Sequence, residues 1–233
     1  MYHFKDKIDY KGHFWFDKKL IENKNWALLP KASKAIFPVI ASFSNKEGET
    51  FPKEQTIAIL SGNTDKIVRK GIKGLEGFPG ISIENYVTRR GRRSKRYIIS
   101  KPPKDKGRAF PFYKSIFETG LWLHLKPSAQ ALYPVMRHFG FFDLERYDKE
   151  GEYQVSDFDE VYKDRTYDFC DAEVNVLAEY AGITTRSVYN AFKSLEHEAL
   201  FRHPNEVIIH PQSLYTRPDL NEKTREKYQH LLQ

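Results

Sequence analysis

Apolar and polar positions along FWFDKKLIENKNWALLPKASKAIFPVIASF, residues 14 to 43, recur without a gap along FPFYKSIFETGLWLHLKPSAQALYPVMRHF, residues 110 to 139. Phe14, Phe16, Trp26, Leu29, Ala35, Pro38, Val39 and Phe43 return as Phe110, Phe112, Trp122, Leu125, Ala131, Pro134, Val135 and Phe139. Exchanges such as Ile36 for Leu132 and Ile40 for Met136 keep the apolar side apolar. A proline at the same point of two helical patterns marks a shared bend, because each removes a backbone hydrogen bond. A second stretch, IAILSGNTDKIVRKGIKGLE at 57 to 76, lies over LAEYAGITTRSVYNAFKSLE at 177 to 196 with a longer offset. The chain therefore reads as a duplication whose second copy has gained about two dozen residues between its matching stretches.

Within the later stretch, Ala178, Gly182, Val188, Phe192 and Leu195 fall at helix, turn and helix positions. A small residue lets two helices approach, glycine makes the sharp turn, and the last three form a buried stripe at 3.6-residue spacing. Thr184 is a candidate N-cap. Ala58, Gly62, Val68, Ile72 and Leu75 repeat the pattern in the first copy. After each second helix come two alternating runs: Ile81 to Val87 with Tyr97 to Ile99, then Leu200 to Arg202 with Val207 to Ile209. A three-helix core closed by a two-stranded hairpin is a winged helix. The expected fold is α+β and mostly helical: two tandem winged-helix domains, each a helix-turn-helix with a β-hairpin wing. The first spans 1–100, a basic linker KPPKDKGR spans 101–108, and the second spans 109–215 with an acidic insertion at 140–170. A helical tail follows at 216–233.

The Phe/Trp-rich lead segment, the helix opening LPKASKAIF and the stretch GETFPKEQTIAILSGNTDKIVRKGIKGLE resemble the winged helix-turn-helix domains of plasmid and phage replication proteins. The tandem arrangement resembles plasmid initiators built from two winged helices. The resemblance implies replication initiation of a plasmid or other mobile element, with host replication or transcription proteins as further partners. A transcriptional regulator on an operator uses the same physics.

Charge sharpens this picture. The chain carries a formal +7 with a pI near 9.2, which favours a polyanionic partner. Between Phe141 and Asp171 eleven acids face four bases, so the remainder is more basic than the average. In a helix-turn-helix the second helix enters the major groove of double-stranded DNA. Its outward positions are Lys66, Arg69, Lys70 and Lys73 in copy one, with Asp65 beside them, and Thr185, Arg186, Tyr189, Asn190 and Lys193 in copy two. Arginine bridges guanine O6 and N7 and asparagine pairs with adenine, so Arg69, Arg186 and Asn190 are the candidates for base readout. The hairpin sequence RRGRRSKR places Arg89, Arg90, Arg92, Arg93, Lys95 and Arg96 where a wing meets backbone or minor groove, with Gly91 permitting the reversal. The wing of copy two, around Pro204 and Asn205, is nearly uncharged. Gly71 and Gly74 inside the first recognition helix point to close packing on a neighbouring helix or close approach to DNA.

Other chemistries have little support. The acidic insertion lacks the carboxylate-x-lysine spacing of a common nuclease core, and no GxxxxGK[ST] loop is present, so the reading is a binding protein without cofactor, and not an enzyme. A metal-dependent nuclease using Asp157 and Asp159, and a protein-interaction module, stand as alternatives. No metal site is expected, since the histidines are scattered and the single cysteine, Cys170, has no internal partner. The opening MYHFKDKIDYKGHF has no leader pattern and no apolar run is long enough to cross a membrane, so a cytoplasmic protein is expected.

Overall fold

A twelve-residue amphipathic run beginning after Pro30 forms the central helix of the first copy, α3 (Lys31–Ser42), and its counterpart forms that of the second, α8 (Pro127–Phe139). Each holds its proline inside the helix, Pro38 and Pro134, as the matched patterns require. The computed structural model describes residues 12–87, 91, 93–100, 108–118, 120–139, 168–170, 172–195, 200–203 and 206–209. The linker from 101 to 107, nearly all of the acidic insertion and the tail lie outside the described residues.

In chain order the first copy contributes β1 (His13–Asp17), the short helices α1 (Lys19–Glu22) and α2 (Asn25–Leu28), α3, β2 (Glu49–Thr50), α4 (Glu54–Ser61), α5 (Asp65–Gly74), β3 (Ile81–Val87) and β4 (Arg93–Ile99). The second contributes β5 (Ala109–Tyr113), α6 (Ser115–Glu118), α7 (Leu121–His124), α8, β6 (Asp168–Cys170), α9 (Val174–Ala181), α10 (Thr185–Leu195), β7 (Leu200–His203) and β8 (Glu206–Ile209). The protein is α+β and mostly helical, with two small antiparallel three-stranded sheets ordered β2-β4-β3 and β6-β8-β7. Each sheet has one strand more than the expected hairpin. β2 and β6 are two and three residues long, too short to show an alternating pattern.

The predicted turns form as expected. α4 ends on Gly62 and α9 on Gly182, both at positive φ, and the next residue's N–H returns to Ala58 and Ala178 respectively. Thr184 caps α10, its hydroxyl oxygen accepting a hydrogen bond from the Ser187 backbone N–H at 3.2 Å. Val68, Ile72 and Leu75, like Val188, Phe192 and Leu195, are buried.

The two copies do not fold as separate beads. Their buried side chains form one continuous core, organised about a pseudo-twofold axis. β1 and β5 pair antiparallel, with Phe14 opposite Phe112, Trp15 opposite Pro111 and Phe16 opposite Phe110. Trp15 and Pro111 occupy equivalent positions of the repeat, so the pairing is centred on itself. Phe14 stacks on Phe112 and Phe16 on Phe110, at centroid separations of 5.0 and 5.1 Å. Trp26 donates its indole N–H to the Ala131 carbonyl at 2.8 Å, and Trp122 donates its own to Ala35 at 2.8 Å. Each bond is the image of the other. The glycine turns are reciprocal too: a Cβ on Gly62 would meet the Leu123 carbonyl, and one on Gly182 would meet that of Ala27.

A polar pair completes the interface. Lys34 of α3 donates to the Ala181 carbonyl at the end of α9, 2.7 Å away, and Gln130, its counterpart on α8, donates to Ser61 at the end of α4, 3.3 Å away. Burial pushes the Lys34 ammonium down to about 8, with the Lys31 charge a smaller cause. Two outcomes are expected in urea denaturation. Trp26→Phe and Trp122→Phe should each cost about 1–3 kcal/mol, because each leaves a buried carbonyl without its donor; an unaffected variant would contradict the reciprocal bonds. Lys34 holds fewer protons folded than unfolded between pH about 8 and about 10.5, so its contribution to stability rises across that window. Lys34→Gln, which copies Gln130, should abolish that rise when wild type and variant are compared at both ends.

Candidate nucleic-acid interface

The buried stripe of α5 turns its remaining residues outward. Lys66, Arg69, Lys70 and Lys73 are all exposed, as is Asp65 in the first turn. α10 exposes Thr185, Arg186, Tyr189, Asn190 and Lys193 in the same way. Both faces predicted from periodicity therefore reach solvent. The pattern missed Ile67, an outward-facing apolar side chain 39% exposed at the edge of the α5 stripe. Its counterpart on α10 is Ser187.

The two glycines of α5 serve packing against α3. A Cβ on Gly71 would lie 2.7 Å from Ile36 Cδ1 and 3.0 Å from the Ala32 carbonyl, while one on Gly74 would strike Ser33 and Pro30. The Ser33 hydroxyl donates to the Gly71 carbonyl at 2.8 Å across this contact. In copy two Ala191 is buried, and the hydroxyl of Ser194 accepts from the Lys126 N–H at 3.3 Å. Close helix contact, rather than approach to a ligand, accounts for these small residues.

The basic hairpin differs from expectation in extent. Strand β4 begins at Arg93, opposite Val87, so Arg93, Lys95 and Arg96 belong to a strand and not to the tip. Arg89, Arg90 and Arg92 lie outside the described residues. Gly91 has φ +73° with no atom near a prospective Cβ, which fits its predicted role in the reversal. Along β4 neighbouring side chains alternate between faces. Arg96 takes the outer face, where Glu49 of β2 forms an ion pair with it and Glu84 lies 3.6 Å away. Lys95 takes the other face, directed toward the helices.

There the structure makes a connection that spacing alone did not suggest. Glu54, in the first turn of α4, accepts from Arg69 Nε at 2.9 Å and from Lys95 Nζ at 2.9 Å, using both carboxylate oxygens. One anion thus ties the outward face of α5 to the hairpin strand, and both basic elements lie on the same side of the molecule. Burial alone would raise the Glu54 carboxyl; the bonds from Lys95 and Arg69 outweigh it and hold the group below the usual carboxylate range. Burial, with Glu54's charge adding to it, pushes the Tyr97 phenol up. The equivalent of Glu54 in copy two is Val174, which has no carboxylate to form this link.

Among the described residues no group of His, Cys, Asp and Glu could hold a metal ion, and no helix is long and apolar enough to cross a membrane. Asp157 and Asp159, the carboxylates of the nuclease alternative, lie outside the described residues. No family model, characterised protein or solved structure matches the chain significantly.

Glu54→Gln should destabilise the protein by less than about 1 kcal/mol at neutral pH, since the pair is partly solvated. A carboxyl depressed in the folded state stabilises above its unfolded pKa and loses that effect as pH falls through the folded value. The gap between wild type and variant in thermal unfolding should therefore close below pH about 4. A gap that persists there would show that the bridge is not ionic.

Proposed function

We propose that this protein binds double-stranded DNA sequence-specifically through two winged helix-turn-helix units, with α5 and α10 as recognition helices. The observation that carries this reading is the shared carboxylate of Glu54, which sets the basic face of α5 and the basic strand β4 side by side. A groove-binding helix flanked by a hairpin that reaches phosphate needs that placement. The second unit presents Arg186 and Asn190, side chains suited to guanine and adenine edges, at matching positions of α10. Ile67 adds an apolar contact of the kind that a thymine methyl group accepts.

Unit one supplies most of the electrostatic attraction, because the arginine-rich hairpin has no counterpart between β7 and β8. Unit two relies more on Tyr189, Asn190 and Arg186. Two units on one chain read neighbouring half-sites about one helical turn apart, and their linkage raises affinity through effective concentration. On the resemblance of its sequence, the role is replication initiation of a plasmid or mobile element in the cytoplasm.

Two sets of variants test this. Replacing Arg89, Arg90, Arg92 and Arg93 with alanine should weaken binding to all duplexes alike and flatten the salt dependence by roughly one unit of log-log slope for each phosphate that is no longer neutralised. Arg69→Ala or Arg186→Ala should cost about 1–3 kcal/mol on the selected site and relax preference at one position. An unchanged selection profile would remove α5 or α10 from the interface.

A further inference from the structure

Resting on that DNA-binding reading, we infer that the target is an imperfect inverted repeat: two half-sites of opposite orientation and different sequence, on which one chain sits in a single direction. Orientation follows from symmetry. Units related by simple translation meet a duplex in the same sense and read direct repeats, whereas units related by a twofold axis meet it in opposite senses and read inverted ones.

The relation between the two units here is twofold. β1 and β5 run antiparallel about the equivalent residues Trp15 and Pro111. The indole bonds of Trp26 and Trp122 cross in both directions at the same length, 2.8 Å. Lys34 reaches the end of α9 as Gln130 reaches the end of α4. A translation would give one unit a contact that the other lacks. The indole bonds tie α2 to α8 and α7 to α3, the central helices α3 and α8 pack on each other, and α5 and α10 each pack on the central helix of their own unit, so the same axis relates the two recognition helices.

Inequality of the half-sites follows from the outward side chains. Lys66, Ile67, Arg69 and Lys70 of α5 correspond to Arg186, Ser187, Tyr189 and Asn190 of α10. Lys66 and Arg186 both suit guanine and Lys73 matches Lys193, but the exchanges Ile67 for Ser187, Arg69 for Tyr189 and Lys70 for Asn190 change which bases the middle of each helix suits. Glu54 orients Arg69 in one unit and has no equivalent in the second. The protein is thus a fused dimer whose halves have diverged at the readout positions while the interface kept its symmetry.

In vitro selection from a random duplex library tests this with the full chain and two variants. One variant places the α5 residues on α10 (Arg186→Lys, Ser187→Ile, Tyr189→Arg, Asn190→Lys); the other places the α10 residues on α5 (Lys66→Arg, Ile67→Ser, Arg69→Tyr, Lys70→Asn). Wild type should enrich two unlike half-sites. Each variant should enrich a perfect inverted repeat, one of the first half-site and the other of the second. Two identical half-sites arranged head to tail would overturn the inverted arrangement and leave DNA binding intact. Enrichment by wild type but by neither variant also counts against it, because the exchanged positions are mostly exposed and both units keep their cores. Failure of all three proteins to enrich any duplex would overturn the DNA-binding reading itself.

Discussion

The pair of indole-to-carbonyl hydrogen bonds, Trp26 to Ala131 and Trp122 to Ala35, is the constraint from which the rest of the architecture follows. Each donor sits in a buried ring whose N–H has no access to water, so its partner must come from the protein, and it comes from the opposite copy. The bonds tie the short helix of each copy to the central helix of the other, α2 to α8 and α7 to α3, and so hold the packed pair α3 and α8 in register, while the stacked phenylalanines of β1 and β5 close one end of the axis. With the central helices fixed, the geometry of α5 and α10 follows, because each packs on its own central helix through small residues. Gly71 and Gly74 in the first copy, and Ala191 and Ser194 in the second, permit that approach.

Symmetry in the interior contrasts with asymmetry on the surface. Interface positions retained their identity, as the tryptophans did, or their chemistry, as Lys34 and Gln130 did by each keeping a long polar donor. Outward positions changed freely. At the position of Glu54 the second copy has Val174, and in place of the arginine-rich run it has His203, Pro204 and Asn205. On the proposed DNA-binding reading such divergence is expected, since packing constrains the buried residues alike in both copies while two unequal half-sites would constrain each exposed set separately.

Much of this was legible in the chain. A 3.6-residue stripe with glycine at the turn identified α4, α5, α9 and α10, because the stripe is local and repeated. The outward faces followed by subtraction. What local pattern could not show was anything formed by distant partners. β1 and β5 are five-residue segments whose pairing exists only once the copies fold together, and β2 is two residues long. Glu54 lies 15 residues from Arg69 and 41 from Lys95, with no periodicity to join them. The hairpin's reach was overestimated for a related reason: a run of like charge reads as a loop, yet pairing with β3, and with Glu84 and Glu49 nearby, draws Lys95 and Arg96 into a strand.

Hydroxyl-radical footprinting of the full chain on a duplex enriched by selection tests the central claim most directly, because it maps both recognition surfaces at once. With one chain bound per duplex, two protected patches should lie on the same face, their centres separated by about one helical turn, roughly 10 base pairs. A single protected patch, or protection requiring two chains, would contradict an account in which one pseudo-symmetric body presents both helices to one duplex.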